Sequence, residues 1–244
     1  MESDLYKYNL IDQTSTLLIN NVSGYPQWGK TDWILFEMND ERLWKIKSNG
    51  DSLTLLISDG IYNDYATWNS SGDRFIFRLH YGDSVNSIIS DIDGNYLLQT
   101  ASIYYEGGAW NPNPEKIAYA SELDQDYGIA WCDTNLSESH TFVFMASQNG
   151  DDILKGMAWL PDEENVMWST GNNVSISNIY TGKTTQLFEN CDAKKYIYPS
   201  ISPDGTKVIF EKVVQNKLSE VELYIVNELV IMNIDGSDEE VILE

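Results

Sequence analysis

A chain of 244 residues, 42% hydrophobic and 22% charged, has ordinary globular composition and can bury a large core without disulfide support. Its 38 acidic residues against 15 Lys plus Arg give a formal net charge of −23; such a field repels phosphate backbones and anionic lipid, which argues against nucleic-acid and membrane-surface binding. No apolar stretch reaches spanning length, the start at Met1-Glu2-Ser3-Asp4 lacks the regions of a signal peptide, and Cys132 and Cys191 are too far apart for a metal or redox motif, so two buried thiols are expected rather than one bridge.

In chain order, the first 20 residues read as the outer half of a repeat. Leu5 to Asp12 forms a strand with its turn, and Thr16 to Ile19 a second strand. Full repeats follow over about 24–58, 64–100, 106–147, 156–189 and 198–244. Each opens on an anchor, Trp28, Trp68, Trp110, Trp159 or Ile201, spaced 40, 42, 49 and 42 residues apart. That period is the length of one four-stranded propeller blade. The Trp anchors recur at a packing position and are expected in the core.

After each anchor comes a turn rich in Gly, Pro, Asn and Asp, clearest in Ser202-Pro203-Asp204-Gly205. A short apolar strand then ends on Phe36, Phe77, Tyr119, Trp168 or Phe210, 8 or 9 residues past the anchor. Constant spacing across a variable turn is what a hairpin of fixed register requires. These second strands are apolar on consecutive residues, the pattern of a strand covered on both faces. Third strands are expected over Leu43–Ile46, Ile88–Ile92, Ile129–Trp131, Val174–Ile179 and Leu229–Ile234, with fourth strands near Leu53–Ile57, Tyr96–Gln99, Thr141–Phe144, Thr184–Phe188 and Glu240–Leu243. The last repeat carries extra apolar residues between Glu211 and Val226, enough for an extended hairpin. No capped pattern of helical period occurs.

The segment from Tyr198 through Ser202-Pro203-Asp204-Gly205 to Phe210, with Ile231-Met232-Asn233-Ile234-Asp235-Gly236-Ser237, resembles the signature of TolB-type propeller repeats. The other four repeats keep a Trp anchor but depart from the Ser-Pro-Asp-Gly turn. The resemblance implies an all-β fold, a single β-propeller over 1–244, on a six-blade plan in preference to a five-blade ring. It implies a bacterial protein of the periplasm, cell envelope or extracellular space, with no compartment assigned by the sequence itself. Function does not follow from the fold, since such repeats serve scaffolds, binding proteins and propeller halves of peptidases.

The search for chemistry returns little. No Gly-x-Ser-x-Gly elbow is present, so no hydrolase nucleophile is assigned. His80, placed in a loop after a second strand, and His140, at the start of a fourth, lack a sequence partner for acid–base work. Asp91-Ile92-Asp93-Gly94-Asn95 has the start of a calcium loop, but Ser102 stands where the loop's closing acid belongs, and a plain turn is expected. No catalytic residue, cofactor or metal is expected. What remains is the loop face of the fold. Its first loop set offers Tyr25, Asp64, Tyr65, Tyr105, Glu106, Asp152, Lys195 and Tyr198, and its second offers Asn39, Asp40, His80, Tyr81 and Asp124. Tyrosine brings rigid contact area with a polar tip. The expected function is a monomeric, non-catalytic binding or scaffold module for a protein or peptide. The alternatives are the propeller portion of a peptidase-like or lyase-like enzyme, or a structural cell-envelope protein.

Overall fold

The computed structural model describes residues 3–24, 26–100, 106–113, 116–123, 126–137, 139–145, 153–191, 193–217 and 223–243. Every regular element among them is a strand. Strands β1 (Ser3–Asn9) and β2 (Thr14–Val22) form a two-stranded sheet. The first blade follows as β3 (Gln27–Trp28), β4 (Trp33–Glu37), β5 (Leu43–Lys47) and β6 (Thr54–Ile57). The second is β7 (Tyr62–Trp68), β8 (Arg74–Tyr81), β9 (Ser84–Asp91) and β10 (Tyr96–Thr100). The third is β11 (Glu106–Trp110), β12 (Lys116–Leu123), β13 (Asp126–Asp133) and β14 (Ser139–Met145). The fourth is β15 (Leu154–Trp159), β16 (Asn165–Thr170), β17 (Asn173–Asn178) and β18 (Thr184–Glu189). The fifth is β19 (Lys194–Ile201), β20 (Lys207–Lys217), β21 (Leu223–Asn233) and β22 (Glu240–Leu243). Each blade is a four-stranded meander in chain order, antiparallel in the described pairings. Five complete blades and one two-stranded sheet are present, and a complete sixth blade is not among the described residues.

The chain divides into two compact units, residues 1–116 with 133–138, and residues 117–132 with 139–244. In the first unit, β4 shows why second strands are apolar on consecutive residues. Ile34 and Phe36 join Leu5, Val22 and Ile46 in one buried cluster, while Leu35 joins Leu43, Trp68, Phe75, Phe77 and Ile88 in another. Alternate side chains leave opposite faces of a strand, and here the two-stranded sheet covers one face and the second blade the other. Lys45 of β5 is buried as well. Its ammonium donates to the Ile92 carbonyl at 2.6 Å and lies 4.6 Å from the Trp33 ring, tying the first blade to the second.

In the second unit, Met167 and Val174 of the fourth blade pack against Tyr196, Val208, Phe210, Val230 and Met232 of the fifth. The rings of Phe188, Tyr196 and Phe210 meet edge to face at 4.8–5.9 Å, a favoured arrangement of ring quadrupoles. The long hairpin expected in the last repeat is formed by β20 and β21, paired from Lys207↔Asn233 to Lys217↔Leu223.

Residues one past the anchor close the first hairpin turn. The Gly205 N–H donates to the Ser202 carbonyl at 2.8 Å, and Asp204 accepts from Ser202 Oγ and from the N–H and hydroxyl of Thr206. These donors hold the Asp204 carboxyl down at about 2. In the second blade Asn69 serves in the same place, its Oδ1 accepting the N–H groups of Gly72, Asp73 and Arg74 at 2.9, 3.1 and 3.1 Å. The Asp91 turn is built in the same manner, with Asp91 Oδ1 accepting from the N–H groups of Asp93 and Asn95.

Gly94 closes that turn at φ 87°, and a Cβ there would stand 2.7 Å from the Leu56 carbonyl oxygen. Backbone strain and a clash with backbone act together. Gly94→Ala is therefore expected to lower stability by about 2 kcal/mol, read as a shifted denaturation midpoint; an unchanged midpoint would show that the two blades can separate there without cost.

Two expectations need correction. The Trp anchors are not uniformly core: Trp68, Trp110 and Trp159 are buried, but Trp28 is 55% exposed. The first strand of its blade has only two residues, so little sheet frames it, and Lys7 lies 5.5 Å from its ring. His80 is not in a loop. It belongs to β8 and is 6% exposed, because β8 runs eight residues where a strand ending at Phe77 was expected.

Candidate functional site at the second blade

Strands β7 and β8 pair with Tyr62 opposite His80 and Asp64 opposite Arg78. Directly paired residues of an antiparallel ladder share a face, and residues two apart stay on it, so four polar or aromatic side chains are brought to one side. Arg78 grips Asp64 with a fork, Nε donating to Oδ1 at 2.7 Å and Nη2 to Oδ2 at 2.5 Å. Two parallel charge-assisted bonds fix geometry as well as energy. His80 Nε2 lies 3.2 Å from Asp64 Oδ1, and its ring stacks on Tyr62 at 3.8 Å between centroids. The Arg78 guanidinium also lies 4.4 Å from the Tyr65 ring.

Between Asp64 and Thr67 the β7–β8 register shifts, and Tyr65 takes φ 53°. This is a bulge, an extra residue that bends the strand and re-aims its neighbours. It recurs. Register shifts separate Leu154 from Met157 in β15 and Ile197 from Ser200 in β19. The residues three before the anchors there are Gly156, at φ 114°, and Tyr198, at φ 55°. The bulge is thus a repeat feature, occupied once by glycine and twice by a tyrosine held in a conformation that bulky residues rarely adopt.

The first blade contributes Glu37, at the end of β4. Its carboxyl accepts the N–H of Tyr65, the bulge residue, and lies close to Asp64 and Arg78. The Gly24 backbone covers it so closely that a Cβ at Gly24 would fall 2.5 Å from its carboxyl carbon. Burial first, and then the Asp64 charge, push the Glu37 carboxyl up to about 7, against the lowering effects of the Tyr65 N–H and Arg78. At this end of the blade Ile61, Tyr62 and Tyr81 are exposed, Tyr62 on the network's face and Tyr81, one residue past His80, on the opposite face of β8.

The expected site residues divide accordingly. Asp64, Tyr65 and His80 come together in the network, and Tyr81 ends the same strand on the surface. Asn39 and Asp40 lie in the β4–β5 turn, where Asp40 Oδ1 accepts from the Arg42 N–H and from Trp44 Nε1. Lys195 and Tyr198 belong to β19 in the second unit, with Tyr198 packed against Gly156. Glu106 begins β11. Tyr25, Tyr105, Asp124 and Asp152 lie outside the described residues. Neither cysteine is in a disulfide; Cys132 is buried as expected, but Cys191 is exposed, just before the first strand of the fifth blade. His140 stacks on Trp131 at 4.4 Å.

Glu37, Tyr62 and Arg78 were not anticipated. Glu37 and Arg78 follow their blades' closing aromatics, Phe36 and Phe77, and Glu211 follows Phe210 in the same way. A charge at the end of an apolar strand, repeated at one blade position, was the available signal. Burial raises the Glu211 carboxyl as well.

No family model matches the sequence, and none of the curated proteins compared with it does. Solved structures do match. A protein of Agrobacterium tumefaciens assigned as TolB superimposes with a TM-score of 0.75 at 14% identity, over 100% of this chain and 89% of its own. The fold is that of a TolB-like β-propeller. TolB of Acinetobacter baumannii matches with a TM-score of 0.67 at 14% identity, over 97% of this chain; this chain spans 58% of that one. An oligogalacturonate lyase of Vibrio parahaemolyticus matches with a TM-score of 0.60 at 13% identity, covering 98% of this chain and 70% of its own. At these identities the likeness extends to the fold alone.

Proposed function

We propose that this chain is a non-catalytic, protein-binding β-propeller that takes a peptide segment of its partner at the loop end of the second blade. The observation that carries the reading is exposed Tyr62 stacked on the rigid Asp64–Arg78–His80 network, with exposed Ile61 and Tyr81 at the same end of the blade. Rigid aromatic area over a fixed polar base is the usual anatomy of a contact hot spot. The TolB-like neighbours support a protein-binding role and, with it, a periplasmic or envelope location. The acidic balance favours a protein partner over nucleic acid or anionic lipid.

Tyr81 is half exposed at a strand end, so Tyr81→Ala leaves the core intact. Selection of a random displayed-peptide library on the chain is expected to yield binders, and Tyr81→Ala should weaken them by about tenfold, the worth of one hot-spot aromatic. Binders indifferent to both Tyr62→Ala and Tyr81→Ala would place the contact surface elsewhere.

The enzyme reading has one observation in its favour: a carboxyl at about 7 beside a His–Asp pair is poised for proton transfer. The net charge of −23 opposes the anionic substrate named for the lyase neighbours. Release of unsaturated product from oligogalacturonate by the purified chain would establish the enzyme reading over the binding one.

A further inference from the structure

Glu37 is the one acidic group of the site left without a counter-ion. Asp64 takes both arms of the Arg78 fork. Among the described residues no ion pair reaches Glu37; its carboxyl accepts the Tyr65 N–H, faces Asp64, and is neighboured by Arg78 already committed to that aspartate. His80 lies on the far side of Asp64, and Gly24 covers Glu37 from its own blade without bringing a charge. The position is held deliberately by the backbone. Tyr65 occupies a left-handed conformation that glycine fills at the matching bulge of the fourth blade, and that conformation is what presents its N–H to Glu37. Glu37 is nonetheless only half buried, and exposed aromatic surface stands on the network at Tyr62.

We infer that the peptide recognised here presents a basic side chain, whose cationic head is taken by Glu37 while its stem lies along Tyr62. This rests on the reading of the second-blade end as a peptide-binding surface. The chemistry follows from what the site lacks. A lysine or arginine head supplies the missing countercharge, aromatic faces accept such stems and heads, and the field of a chain at −23 draws a basic segment in. Glu37 must be ionised to take the cation, so binding releases a proton near neutrality and tightens as pH rises through that range.

The test uses three blocked pentapeptides that differ only in a central lysine, norleucine or glutamate, titrated calorimetrically into the whole chain near physiological salt, which screens the general field. The lysine peptide is expected to bind about tenfold more tightly at about pH 8 than at about pH 6, the change in the ionised fraction of a carboxyl titrating between them. The norleucine and glutamate peptides should show no such gain. Glu37→Gln should bind lysine and norleucine peptides alike at both pH values, while Asp162→Asn, which removes one exposed charge in the β15–β16 turn, should leave the lysine preference intact. Equal binding of lysine and norleucine peptides, or a pH dependence that survives Glu37→Gln, overturns the inference. Library peptides that depend on Tyr81 but lack basic residues would overturn it while leaving the peptide-binding reading standing. Failure of every peptide to bind would remove both.

Discussion

Replacing Arg78 by methionine is expected to destabilise the chain by about 3–5 kcal/mol, the usual cost of removing one member of a buried ion pair. Arg78 and Asp64 have side chains only 7% and 20% exposed. Once the fork is gone, Asp64 keeps its charge in a poorly solvated place, with Glu37 near it and, among the described residues, only His80 left to donate. Methionine matches the stem of arginine closely, so lost packing contributes little and the loss reads electrostatics. Arg78→Lys is expected to recover part of the stability but not the parallel pair of bonds, because an ammonium is a point donor. Chemical denaturation of both variants, and of Arg78→Met combined with Asp64→Asn, separates the terms. If the double variant is no more stable than Arg78→Met, the stranded carboxylate is not the source of the loss. A loss below about 1 kcal/mol for Arg78→Met would show that water reaches the pair freely.

Glu37→Gln carries the opposite sign. The folded chain raises this carboxyl from 4.5 to about 7, so it binds protons more tightly folded than unfolded. Its favourable contribution is fully present below pH 4.5, declines as pH rises between those values, and is lost above about 7. At pH 8 the ionised, half-buried carboxylate is a liability of about 3 kcal/mol. Glutamine keeps an oxygen for the Tyr65 N–H and sheds the charge. The variant is expected to be more stable than the parent by about that amount at pH 8 and nearly equal to it at about pH 4.5. Carboxyls that the fold lowers, such as Glu239 beside Lys212 and Lys194, work in the other direction and lose their contribution only below 4.5. The two effects therefore separate along the pH axis. A stability difference between Glu37→Gln and the parent that did not change with pH would contradict the raised carboxyl. A residue that weakens the fold at neutral pH is also what a binding position looks like when its countercharge comes from a partner.

Much of the architecture is local and legible in the sequence. The Trp anchors, the turn one residue past them and the closing aromatics at 8 or 9 residues define hairpins whose register is decided within about ten residues of chain. Asn69 and Ser202 make the same turn from different side chains, which is why the repeat survives where the Ser-Pro-Asp-Gly motif does not. The site was legible only in part. Asp64, Tyr65 and Tyr81 were expected in the loops of such a fold and instead stand in β7 and β8. His80 was misplaced because nothing in Leu79-His80-Tyr81 marks where a buried strand stops. Arg78 carries a signal only in the repeat, as a charge following the closing aromatic at the position of Glu37 and Glu211; its partner cannot be read from the sequence.

Period, turn chemistry and the consecutive apolar runs pointed to blades of four strands, since the other common way to bury strands on both faces, a parallel sheet under helices, needs helical patterns that this chain lacks. The sign of the charge likewise follows from composition. What assembly alone decided is which charges meet. Glu37 belongs to one blade and Asp64 and Arg78 to the next, and a single extra residue at Tyr65 sets both the face Asp64 presents and the direction of the N–H that holds Glu37. A one-residue bulge is hard to see in the apolar pattern of β7, yet it changes which side chains face the neighbouring blade. It is therefore settled by the packing of blade on blade, where a charge must find a partner or remain open to one brought from outside.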